Sequence, residues 1–100
     1  MTQTERIAYY EDLLNRVSGA AKKLEDALAE FDAAQPLAAE LDAYYGSEDW
    51  FSDLEADEAG LRPANLPRGV LSQDSAYDAL TDNHALLIRM LETVTEALRG

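Results

Sequence analysis

The chain has no cysteine, which excludes disulfides, thiolate metal sites and thiol nucleophiles and frees folding from any need for an oxidising compartment. It also lacks a long apolar run. The N-terminal stretch MTQTERIAYYEDLLNR mixes charge with apolar residues from its first turn, unlike a secretory leader, and no later stretch approaches the roughly 20 apolar residues of a membrane span. A soluble, cytoplasmic protein is expected. Basic residues are missing over a long interval: from Leu24 to Leu61 there are twelve acids and no Lys or Arg, while the remainder carries eight of each sign. A chain of net charge −12 with no basic stripe repels phosphate backbones and anionic lipid, so neither nucleic acid nor membrane is an expected partner. A basic protein or a divalent cation fits that charge.

Helix breakers are also scarce, with three prolines and five glycines in 100 residues, and the hydrophobic spacing exploits this. Ile7, Tyr10, Leu14, Val17, Ala21, Leu24, Leu28 and Phe31 alternate spacings of 3 and 4. Tyr77, Leu80, His84, Leu87, Leu91, Val94 and Leu98 do the same after Ser72, a good N-cap. Each is a heptad a/d stripe, which predicts a helix of roughly 25–30 residues, about 40 Å long. Apolar residues also flank both stripes, Leu13, Ala20 and Ala27 in the first and Ala76, Met90 and Ala97 in the second, so each stripe is wide enough to call for a further covering element.

The middle supplies candidates. PLAAELDAYYG reads as a helix with Leu37, Leu41, Tyr44 and Tyr45 inward and Gly46 as its stop. SEDWFSDLEADEAG reads as a short helix capped by Ser47, with Trp50, Phe51 and Leu54 on its apolar side and Gly60 ending it. Asp32 and Gln35 form a capping-box pattern that would start a new helix with Pro36 in its first turn; the alternative is one helix kinked at Pro36. LRPANLPRG is a loop anchored by Leu61 and Leu66. The expected fold is all-α, a single domain over residues 1–100: two long antiparallel heptad-patterned helices in a coiled-coil hairpin, closed into a bundle by one or two shorter helices and an ordered loop. A chain of this length holds one core, which leaves little room for a deep catalytic cleft.

No catalytic constellation is legible. His84 sits on a seam position, where a core imidazole bonded to a Tyr, an Asp or a carbonyl is expected, and Ser47, Ser52, Ser72 and Ser75 fit caps and turns. The chain is not expected to be an enzyme, and no cofactor is expected. Asp49, Asp53 and Asp57 recur every four residues, so on a helix they stack and repel by a few tenths of a kcal/mol per pair. The order Asp53, Glu55, Asp57 echoes a calcium loop, yet Glu58 stands where the turning glycine belongs and Ala64 where the bidentate acid belongs. Arg68, and secondarily Arg62, is the simpler relief: the stiff loop after Gly60 should return an arginine to Asp53 or Asp57 as a clasp.

YYGSEDW at 44–50, then Asp53, Glu55, Asp57, Glu58 and Gly60, then NLPRGVLSQDSAYDAL from Asn65 to Leu80, resemble the signature of a family of small bacterial proteins, domain of unknown function 4298. Pro67 and Gln73 stand where that pattern usually has Lys and Glu. The resemblance implies an all-helical bacterial domain and supplies no activity. The leading functional expectation is a non-enzymatic interaction or adaptor module. It would present Tyr44, Tyr45, Trp50, Asp53, Glu55, Asp57, Glu58 and Arg68 to a basic protein partner, with any apolar face left over buried in a homodimer. The alternative is a small divalent-metal-binding regulatory protein, and a third reading is an acidic mimic of nucleic acid.

Overall fold

The computed structural model describes all 100 residues, Met1–Gly100. The fold is all-α: α1 spans Gln3–Tyr44, α2 Glu48–Glu58 and α3 Gln73–Arg99, with a single 3₁₀ turn at Gly69–Leu71 before α3 and no strand. No helix is long and apolar enough to cross a membrane. The chain divides into two compact units, Met1–Gln35 and Pro36–Gly100.

The first unit is helix throughout from Gln3. A capping box starts it: the Glu5 amide donates to Thr2 Oγ1 at 3.1 Å, and the Thr2 amide donates back to the Glu5 carboxylate at 3.2 Å. Hydrogen bonding to the carboxylate by the Thr2 side chain, and then by the Thr2 amide, favours its ionised form, so Glu5 is held below the ordinary range. Ion pairs one turn apart, Asp12 with Arg16 and Asp26 with Lys22, decorate the solvent side.

Pro36 does not start a new helix. The helix of the first unit runs on through it to Tyr44, with the backbone bond that a proline cannot donate simply absent. The capping-box reading fails because the Gln35 side chain turns back along its own helix and donates to the Phe31 carbonyl at 3.1 Å. Gly46, at φ 79°, then adopts the left-handed conformation that frees the chain to turn into α2.

In the second unit the local signals act as the sequence suggests. Ser47 caps α2, its hydroxyl oxygen accepting from the Trp50 amide at 3.2 Å. Gly60, at φ 73°, closes α2 in a Schellman arrangement: the Leu61 amide reaches the Ala56 carbonyl and the Gly60 amide the Asp57 carbonyl, both at 3.0 Å. Ser72 caps α3 by accepting from the Ser75 amide.

The core is smaller than the heptad stripes imply. Only Trp50 and Ala76 are buried, each 4% exposed. In the first unit Ile7, Tyr10, Leu14, Val17 and Leu24 are exposed, from 58% at Leu14 to 68% at Val17, because that unit is one helix and holds no second element to cover its stripe. In the second unit Tyr77, Leu87, Leu91, Val94 and Leu98 are exposed as well, and so is His84, which is therefore not the core imidazole expected of a seam position. Leu37, Phe51 and Leu61 also face solvent rather than a core, while Leu66 is less exposed at 45%.

Candidate functional site

The sequence places its distinctive residues around α2, and the structure shows what holds them there. Trp50 is the hub. Its indole Nε1–H donates to the Val70 carbonyl at 3.0 Å, pinning the 3₁₀ turn onto α2. Tyr45 and Phe51 meet its ring edge-on at centroid distances of 5.3 and 5.0 Å. The Tyr45 hydroxyl reaches the Gln73 carbonyl at 3.4 Å, a second tie between the end of α1 and the start of α3.

Each stacked carboxylate nearest the loop has its own partner. Asp53 accepts from the Tyr44 hydroxyl at 2.6 Å. Asp57 lies 2.7 Å from Arg68 Nε, with side-chain exposures of 19% and 38% respectively. That Nε–H is buried but does not point along the line to the carboxylate, so the contact is a charge pair rather than a well-aligned hydrogen bond. Arg68 Nη2 donates to the Pro63 carbonyl at 2.8 Å and so closes the loop on itself. The clasp falls on Asp57, with Arg68 as its cation. Arg62 makes no ion pair and lines a hollow of about 230 Å³ with Tyr44, Asp53, Leu66, Pro67 and Arg68. That volume is below the range of ordinary small-molecule pockets, roughly 300–1,000 Å³.

Of the eight residues expected to meet a partner, Tyr44, Tyr45, Trp50, Asp53, Asp57 and Arg68 thus bond to one another or to the neighbouring backbone. Glu55 and Glu58 alone stand exposed without a side-chain bond. No three acids or histidines converge as a cation would require. Sequence reasoning missed the Tyr44–Asp53 and Trp50–Val70 bonds, which join residues 9 and 20 positions apart and leave no periodic trace. It also missed the Thr2–Glu5 box, whose Thr-x-x-Glu spacing was there to be read.

The Tyr44 bond has a measurable consequence. Losing the phenol proton would place a phenolate against the Asp53 carboxylate, and that hydrogen bond first, then burial and the charges of Asp53 and Asp49, push Tyr44 up to about 12. The folded value is above the unfolded value of about 10, so the stability from this bond is complete below pH ~10 and lost as pH rises towards 12. Ultraviolet titration of the folded chain should show one tyrosine ionising last, near 12. Asp53→Asn should bring that step down, and an unchanged titration would contradict the bond.

Residues 7–93 match the family described as Domain of unknown function (DUF4298). The chain belongs to that family. The match begins at Ile7, the first residue of the exposed stripe, and takes in the clasp and most of α3, so the family unit includes both the α2 hub and the α1 face. No curated protein and no solved structure matches the chain.

Proposed function

We propose that this DUF4298 member is a non-enzymatic protein-interaction module whose working surface is the apolar face of α1. The observation that carries the reading is the exposed stripe Ile7, Tyr10, Leu14, Val17 and Leu24 on a helix that begins with a well-formed cap. Five large apolar side chains in heptad register on one open face form the complement of another helix, the recognition mode in which an apolar helical face is read at i, i+3, i+4 and i+7. The hub at Trp50 has a different role, holding α2, the loop and the start of α3 in one piece.

Stability separates an interaction face from a core seam. Leu14→Gln with Leu24→Gln should leave urea unfolding of the free chain within about 0.5 kcal/mol of wild type per site, as expected for exposed positions. If the stripe is a core seam in solution, each change instead removes a buried leucine and costs about 2–5 kcal/mol.

A further inference from the structure

The flanks of the α1 stripe specify its occupant. With Ile7 as a and Tyr10 as d, the e positions are Glu11, Ser18, Glu25 and Asp32, and the g positions are Arg6, Leu13, Ala20 and Ala27. One edge of the apolar face is therefore acidic and carries no base. None of Glu11, Glu25 and Asp32 is ion-paired, whereas Arg16 and Lys22 pair with Asp12 and Asp26 on the solvent side. Residues at e and g are the ones that meet a partner helix across the seam.

The exposed α3 stripe of a second copy offers this edge no base, with Thr81, Ile88 and Thr95 at e and Asn83, Met90 and Ala97 at g, and the α1 stripe of a second copy fits it poorly. In parallel pairing each e residue meets the partner's g residue of the preceding heptad: Glu11 would find Arg6, but Glu25 and Asp32 would find only Ala20 and Ala27. In antiparallel pairing e faces e, which sets acids against acids. The geometry points to a heterotypic occupant: an amphipathic helix with aliphatic residues at a and d and Lys or Arg along the flank that meets Glu11, Glu25 and Asp32. This assignment rests on the interaction reading above and names its partner's chemistry. Charge at such a rim selects the partner more than it sets total affinity.

The test uses the full chain and two synthetic helical peptides of about four heptads, identical at a and d and carrying either Lys or Glu at e and g, followed by fluorescence anisotropy. The Lys peptide should bind at least about tenfold more tightly than the Glu peptide, with the gap narrowing at high salt. Glu25→Lys with Asp32→Lys should reverse the preference. Glu40→Lys with Asp42→Lys, an equal change of net charge at exposed positions off this rim, should leave it standing. Equal affinities, or the same response to both double variants, would overturn the assignment by showing that only the overall charge of −12 is felt. If neither peptide binds and sedimentation gives a dimer, the second copy is the occupant and the interaction reading survives without this partner. If neither binds and the Leu14→Gln, Leu24→Gln chain is strongly destabilised, the interaction reading itself fails.

Discussion

Replacing Trp50 by Ala is expected to destabilise the chain by about 3–5 kcal/mol, the largest effect of any single substitution. Trp50 is one of only two buried residues, so nothing else in the second unit can make good its loss. The change removes the apolar surface between α2 and the 3₁₀ turn, the edge contacts of Tyr45 and Phe51, and the donor to Val70. Trp50→Phe separates these contributions. It keeps a ring in the site and loses the hydrogen bond, so it should cost about 1–2 kcal/mol once the smaller ring is counted. Urea unfolding followed by far-ultraviolet circular dichroism measures both, and a cost under about 1 kcal/mol for Trp50→Ala would show that the hub does not organise this unit.

The second large effect is at Arg68. Removing its guanidinium leaves Asp57, whose side chain is only 19% exposed, without its cation and also frees the Pro63 carbonyl. A fully exposed pair would be worth under about 1 kcal/mol and breaking a fully buried one would cost about 3–5; with Arg68 38% exposed, Arg68→Ala should cost about 1–2 kcal/mol. Arg68→Lys should recover only part of it, since one ammonium lacks the fork that reaches carboxylate and carbonyl together. A divalent cation bound at the acidic stretch would give a different result. Millimolar Ca²⁺ or Mg²⁺ would then raise the melting temperature by mass action, and the rise would vanish in Asp53→Asn with Asp57→Asn. A cation-dependent rise together with an indifferent Arg68→Ala would replace the clasp with a metal site.

The features legible in the sequence were those set by neighbours a few residues apart. Ser47 and Ser72 as caps and Gly46 and Gly60 as stops follow from the orphan amides and carbonyls at helix ends, and the structure uses all four. The return of Arg68 to the acidic helix was also readable, because two prolines limit where an eight-residue excursion from Gly60 can go. Pro36 was ambiguous for a physical reason: a proline is favoured in the first turn of a helix but tolerated, at a cost, in its interior, and whether that cost is met depends on packing that has no local signature. His84 shows the opposite failure. A seam position promises burial only if something covers the seam, and periodicity records the apolar face without recording its cover. The same gap explains why the Trp50 hub could be suspected but not its partner, the Val70 carbonyl.

The openness of the α1 face is the premise on which the functional reading stands, and hydroxyl-radical footprinting of the dilute free chain measures it directly. Corrected for intrinsic reactivity, Tyr10, Leu14 and Val17 should be oxidised about as readily as Leu98, which is 83% exposed, and far more readily than Trp50 at 4%. Protection of Tyr10, Leu14 and Val17 to the level of Trp50 at the lowest accessible concentration would show the stripe to be covered within the free chain and would contradict the account.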